Sequence, residues 1–194
     1  MDYDLTDNWH NDRQLYWNEM IAEYEIRTVL ELGSHEGASM IEFVKAGADH
    51  VTCIDLWENK ETMQRWDKNR NTLERKFGVT IYGIRDFTHK ALVEESVKDS
   101  MFDMVYVDAS HYPEDVILDA SLAFRLLNVD GIILFDDYKW TRFENGMTEP
   151  DKSPKAAIDA FELSHRRLIR PVDCHHMQRC FQKVRHEDQE KKRY

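Results

Sequence analysis

Two short stretches place reactive side chains at the ends of apolar runs. One is Asp108-Ala-Ser-His111, after Phe102-Asp-Met-Val-Tyr-Val; the other is Asp136-Asp137-Tyr138, after Ile132-Ile-Leu-Phe. Paired as neighbouring strands, these runs bring three carboxylates into one small space. Like charges that close raise at least one pKa strongly unless a cation neutralises them. Three hard oxygen ligands favour Mg2+, with Mn2+ or Ca2+ as alternatives; the competing reading makes Asp136 or Asp137 a helix cap with no ion bound. His111 suits a general base, because an imidazole with a reference pKa of about 6.5 accepts a proton at neutral pH. The alternative is a capping or surface histidine. Tyr138, Trp140 and Arg142, in the loop after the second run, are the candidate substrate contacts. Aromatic faces there would suit a sugar ring; simple loop packing is the other reading.

A second group of residues suits a cofactor. Glu31-Leu-Gly33-Ser34-His-Glu-Gly37-Ala-Ser39 links a β-rich run to a helical one. Gly33 permits a tight turn and Gly37 a close helix start. The spacing of these glycines is not that of the GxGxxG dinucleotide fingerprint, so a loop around a nucleoside without phosphates is favoured over a pyrophosphate cradle. Asp55 ends the next strand, where a carboxylate can accept both ribose hydroxyl protons. Read blandly, the two glycines are turn residues and Asp55 is a cap.

The elements that must position these groups alternate. Short β-rich runs at 28–33, 50–55, 80–84, 102–108 and 132–135 are separated by helical patterns at 37–46, 60–76, 88–97 and 113–127. A further helix opens at Ser153-Pro154, with Ser153 as its cap, and two strands at 168–174 and 179–184 close the chain. The fold class is α/β: a Rossmann-like, mostly parallel seven-stranded sheet with helices on both faces. The last two strands have no helix between them, so one strand near the C-terminus runs antiparallel. Ligands of such sheets bind outside the carboxyl ends of the strands, and Gly33-Ser34, Asp55, Asp86, Asp108 and Asp136-Asp137 stand there. Residues 1–26 form an N-terminal helical segment with apolar positions at Leu15, Tyr16, Met20, Ile21 and Tyr24; 27–185 form the main domain, and 186–194 a charged tail. The polar stretch 139–153 is the longest loop, of a length that suits a lid or binding loop.

The formal net charge of −11 disfavours a nucleic-acid partner or an anionic membrane surface. The acidic N-terminus lacks the pattern of a signal peptide, and no run is long and apolar enough to span a bilayer. Cys53, Cys174 and Cys180, odd in number and without a CxxC pair, point to reduced thiols and a cytoplasmic location. Cys174-His175-His176 with Cys180 matches no structural zinc spacing.

Val29-Leu-Glu-Leu-Gly-Ser-His-Glu-Gly-Ala-Ser39 resembles motif I of the class I S-adenosylmethionine (SAM)-dependent methyltransferases, in particular the catechol O-methyltransferase type. The resemblance implies that Glu31, Gly33 and Ser34 line a SAM pocket shaped by Gly37. It further implies that Ser39 meets the methionine part, Asp55 the ribose, and Trp57 the adenine, flanked by Asp86 and Phe87. The segments 102–112 and 131–138 resemble a narrower group, the metal-dependent O-methyltransferases of the macrocin and mycinamicin sugar type and the related cephalosporin-hydroxylase-like proteins. That likeness implies Asp108, Asp136 and Asp137 as Mg2+ ligands and His111 as base. Catechol-type enzymes use an asparagine as third ligand and a lysine as base; Asp137 and His111 move this chain toward the sugar-hydroxyl side. The expected activity is Mg2+-assisted methyl transfer from SAM to a hydroxyl of a small molecule or glycan sugar. The rival readings are a non-catalytic SAM-binding protein and a nucleotide-dependent oxidoreductase.

Overall fold

The structure is a computed structural model that describes residues 3–6, 10–94, 101–144, 147–149 and 153–185. The expected tail at 186–194 lies outside the described residues. Helix α1 (Gln14–Glu23) leads into β1 (Thr28–Leu32), α2 (Ala38–Ala46), β2 (His50–Asp55), α3 (Lys60–Phe77), β3 (Thr80–Arg85) and the single turn α4 (Thr88–Ala91). Then follow β4 (Phe102–Val107), α5 (Pro113–Ala123), β5 (Leu127–Phe135), β6 (Arg142–Glu144), β7 (Met147–Glu149), α6 (Lys155–His165), β8 (Ile169–Val172) and β9 (Arg179–Lys183). Local chemistry explains several ends. The Asn59 side chain accepts a hydrogen bond from Glu61 N at 2.8 Å to start α3, and Gly78, in the left-handed region, stops it. Pro113 opens α5, where its missing N–H costs nothing.

Seven strands form one sheet in the order β3-β2-β1-β4-β5-β9-β8. The pairs from β3 through β5 are parallel, and β9 is antiparallel to both β5 and β8. The expected α/β class, strand number and antiparallel C-terminal strand are therefore present. Both faces are covered, and the strand residues divide by alternation. Leu30, Leu32, Val105, Val107, Ile133 and Phe135 pack toward α5 and α6. Val29, Met104, Tyr106, Ile132 and Leu134 pack toward α1 and α2. On that second face Trp17 of α1 meets Phe43 and Tyr106 edge-on at 5.3 and 5.7 Å, so α1 shares the core of the sheet.

The elements differ from expectation in four places. The loop at 139–153 contains a small antiparallel hairpin, β6–β7. The helix expected over 88–97 is described only as Thr88–Ala91, and residues 95–100 lie outside the described residues. Strand β5 starts at Leu127, ahead of the run expected at 132–135, and carries Asp130 at φ 69° with a register shift against β4. Pro154, in place of the expected Ser153, takes the cap position of α6. Among the described residues no helix is long and apolar enough to cross a membrane.

Candidate active site

Strand order reverses between β1 and β4, where crossovers leave on opposite faces and a crevice opens at the carboxyl ends. A cavity of about 640 Å³ occupies that position. Gly33, Asp55, Asp86 and Phe87 line one part; Ser110, His111, Tyr112 and Trp140 line another.

The β1–α2 loop depends on its glycines. Gly33 has φ +85°, and a Cβ there would stand 2.2 Å from the carbonyl oxygen of Asp108. The ends of β1 and β4 can approach only because no side chain separates them. Gly37 has φ +82°, and a Cβ would meet Met40 at 2.5 Å. Beneath the loop, the buried Glu31 carboxylate accepts hydrogen bonds from Ser34 Oγ at 2.5 Å, from Ser39 Oγ, and from Cys53 Sγ at 3.2 Å. Burial pushes the Glu31 pKa up, against the lowering effect of these donors. Ser34 Oγ also accepts from Trp66 Nε1 at 3.0 Å. Glu31, Ser34, Gly37 and Ser39 thus stand behind the cavity wall, and only Gly33 of the loop residues expected at the cofactor reaches it. The physical reason is that two hydroxyls and a thiol satisfy the Glu31 carboxylate internally.

Asp55 does line the cavity, yet three backbone amides already hold it. Oδ2 accepts from Ser34 and His35 N at 2.9 and 2.8 Å, and Oδ1 from Trp57 N at 2.8 Å. A carboxylate offers about four acceptor positions, so little capacity is left for a ribose. Trp57 is 3% exposed, in the left-handed region at φ 38°. Its indole donates to His35 O at 2.8 Å and its ring packs 4.5 Å from Trp66, so it braces the loop and is absent from the wall. Phe87, 48% exposed, presents its ring there, beside Asp86, whose side chain accepts from Phe87 N at 2.7 Å.

The acidic end divides differently from expectation. Asp136 closes β5 pointing inward and its carboxylate is 1% exposed. It accepts from Arg13 Nε at 3.2 Å, from Tyr106 Oη, and from Asp137 N at 2.8 Å. Asp137 has φ 55°, a left-handed turn that aspartate tolerates, and its carboxylate turns outward. Oδ2 lies 2.7 Å from His111 Nε2, and Oδ1 lies 3.8 Å from Arg13 Nη2. Asp108, His111 and Asp137 each offer a ligand atom, all within 4.8 Å of one another, a spacing that a cation with bonds of about 2.0–2.6 Å can bridge. Of the expected trio, Asp108 and Asp137 converge, together with His111, while Asp136 is held by Arg13, Tyr106 and the Asp137 amide and stands outside this group. The Cys174–Cys180 run forms no such group among the described residues.

Burial, then Asp136, Asp137 and Glu31, push the Asp108 pKa well above the usual carboxylate range. Burial, then Asp108 and Asp136, likewise push Tyr106 well up, so its hydroxyl keeps its proton as a donor to Asp136, with Asp108 Oδ2 3.3 Å away. Burial, the largest single influence, works against the Arg13 charge, but Asp136, Tyr106 and Asp12 together outweigh it and the guanidinium pKa is raised.

Of the expected substrate contacts, Trp140 lines the cavity with its ring 4.4 Å from that of His111. Tyr138 faces elsewhere: its hydroxyl donates to Asp159 at 2.8 Å and accepts from Lys155 Nζ at 2.9 Å. Arg142 begins β6, and its side chain lies outside what is described. Sequence reasoning missed Tyr106 and Arg13. Tyr106 was discoverable, since a strand residue two before Asp108 shares its face. Arg13 carries no such signal, being 123 positions from Asp136.

The family described as "Methyltransferase domain" matches residues 30–138, more than half of the chain. Comparison with curated proteins found no match. Among solved structures, the fold is similar to that of an O-methyltransferase from Bacillus cereus in complex with S-adenosylhomocysteine, with TM-score 0.69 at 12% identity over 94% of this chain and 84% of that one. It is similar to the O-methyltransferase TomG from Streptomyces achromogenes, involved in tomaymycin synthesis and solved with SAM, with TM-score 0.63 at 16% identity over 92% and 82%. A Staphylococcus aureus protein assigned as a caffeoyl-CoA O-methyltransferase gives TM-score 0.69 at 18% identity over 93% and 86%. With the methyltransferase fold complete around the matched segment, the chain belongs to the methyltransferase-domain family.

Proposed function

We propose that the protein is a SAM-dependent O-methyltransferase that methylates a hydroxyl of a small molecule or glycan sugar, with His111 as general base and a divalent cation, Mg2+ or Mn2+, at Asp108 and Asp137. The observation that carries this reading is the single cavity that joins the Gly33–Asp55–Phe87 wall to His111 and Trp140. Cofactor and acceptor bound in one cavity need no travel between sites. The SAM and S-adenosylhomocysteine complexes of the structural neighbours support the cofactor. The free thiols of Cys53, Cys174 and Cys180 agree with a cytoplasmic setting.

SAM supplies an electrophilic methyl group, and a divalent ion lowers the pKa of a hydroxyl it holds. Gly33, Asp86 and Phe87 bind the adenosine part, and Asp55 shapes that wall by holding the amides of Ser34, His35 and Trp57. Trp140 and Tyr112 hold the acceptor by aromatic contact and keep water from it. His111, with Nε2 donating to Asp137 at 2.7 Å, keeps Nδ1 free to take the hydroxyl proton, and Asp137 steadies the imidazolium that forms. Most of the acceleration then comes from alignment of oxygen and methyl carbon. Mg2+ commonly uses one or two carboxylates and completes its shell with water and substrate, which suits Asp108 and Asp137.

The test is calorimetric titration with SAM, followed by mass spectrometry of an extract incubated with SAM and protein, with and without EDTA. SAM binding and a product heavier by one methylene, lost with EDTA, are expected. Failure of SAM to bind would sink the reading; full activity in EDTA would remove the ion and leave the methyl transfer.

A further inference from the structure

We propose that Arg13 is a positioning residue that withdraws Asp136 from the acidic cluster, so that Asp108 and Asp137 remain as the carboxylates facing a divalent cation. This inference rests on the ion-assisted reading above. Arg13 stands at the N-terminal end of α1, ahead of the sheet, and is 9% exposed. Its Nε lies 3.2 Å from Asp136 Oδ1 and its Nη1 3.1 Å from Asp12, while Nη2 stands off at 3.8 Å from Asp137 Oδ1, so Asp136 is the closer of the two neighbouring carboxylates. The aromatic contacts of Trp17 with Phe43 and Tyr106, and the bond from Trp17 Nε1 to Gln178 at 3.3 Å, seat α1 so that the guanidinium reaches the end of β5.

The Asp136 carboxylate is 1% exposed and accepts from Arg13, Tyr106 and the Asp137 amide. The charge count follows. Asp108, Asp136 and Asp137, when ionised, carry three negative charges, and Arg13, whose other partner Asp12 is 60% exposed and screened by solvent, cancels one. The two that remain match one divalent ion. Without Arg13 the Asp136 carboxylate would be a buried, uncompensated anion next to Asp108, with which it already shares the Tyr106 hydroxyl. A cation would be the available partner.

The experiment is a Mn2+ titration of the full chain without SAM, read by the electron paramagnetic resonance signal of free Mn2+. Arg13→Met should bind Mn2+ more tightly than the parent by about tenfold or more, the scale on which groups behind metal ligands act. Arg13→Lys keeps the charge and should stay close to the parent. The double variant Arg13→Met/Asp136→Asn removes both charges of the pair, leaves no buried ion unpaired if the single variant fails to fold, and should also stay close to the parent. Asp137→Asn should lose about tenfold or more as a ligand. A purely structural ion pair would leave Mn2+ affinity unmoved in Arg13→Met. That result, or a double variant that loses Mn2+ as Asp137→Asn does, overturns the proposal. If the parent binds no Mn2+ while Arg13→Met does, the role of Arg13 stands and the ion-assisted reading falls; if neither binds, both fall.

Discussion

The His111–Asp137 contact at 2.7 Å holds one ring nitrogen and, in the proposed mechanism, leaves the other for the acceptor proton. His111→Ala should therefore lower turnover by about 10²–10⁴-fold, the range for a lost general base, while SAM affinity by calorimetry stays unchanged. Loss of Mn2+ binding in the same variant would make His111 a ligand. Asp55 carries a different expectation, because it holds three loop amides. Asp55→Ala should weaken SAM binding by about 1.5–3 kcal/mol, the range for hydrogen bonds to a charged group. Unchanged affinity would exclude it from the cofactor site. At this scale the residue types were legible and their orientations were not. Adjacent aspartates 136 and 137 look equivalent in sequence, yet a single left-handed backbone angle at Asp137 sends them to opposite sides of the strand end.

Between elements, the loop after β1 meets the end of β4 at Gly33 with no room for a Cβ. Alanine there would combine a positive φ with a backbone clash, and Gly33→Ala should cost on the order of 3 kcal/mol in chemical denaturation. A second junction joins α4 to α5, where Thr88 Oγ1 donates to both oxygens of buried Asp119 at 2.8 and 2.7 Å. Burial raises the Asp119 pKa from 3.8 to about 6, with the Thr88 hydroxyl opposing the shift. The folded state thus holds the proton more tightly than the unfolded chain. The stability contribution is full below pH 3.8 and is lost as pH rises through about 6. The shift corresponds to at most about 3 kcal/mol. Asp119→Asn should remove that decline, so urea unfolding of variant and parent should converge at low pH and diverge toward neutrality in favour of the variant. Since Thr88 lines the cavity, the same junction sets the wall beside Phe87. Strand and helix identity was readable from the alternation of apolar runs. The hairpin β6–β7 was not, because its three-residue strands fall within a polar segment without an apolar period.

Across the whole molecule, the segment ahead of the sheet ties both sides of the site. Asp4 pairs with Arg65 and Lys68 of α3, and its backbone exchanges hydrogen bonds with the buried Asn69 side chain at 2.8 and 2.9 Å. Thr6 donates from its amide to Glu36, in the β1–α2 loop, at 2.7 Å, and Asn69 reaches the carbonyl of the same residue at 2.9 Å. Arg13 then closes on Asp136. Deletion of residues 1–6 would leave Asn69 and Glu36 buried with fewer partners. It should lower Tm by about 5–10 °C and weaken SAM binding, both measurable by calorimetry; an unchanged Tm would mean that the strap carries no weight.

By itself the sequence determined the fold class, the order of the strands in the chain, and the residues at their carboxyl ends. These follow from local period and turn chemistry, and the motif around Gly33 and Gly37 sufficed to suggest a methyltransferase. Only the tertiary structure decided which of those residues face the cavity. Glu31, Ser34 and Ser39 satisfy one another behind the loop, Trp57 braces it, and Asp136 is claimed by an arginine from the opposite end of the chain. Such choices depend on which donors the packed chain brings within about 3 Å of each acceptor, and partners 123 positions apart leave no periodic trace in the sequence.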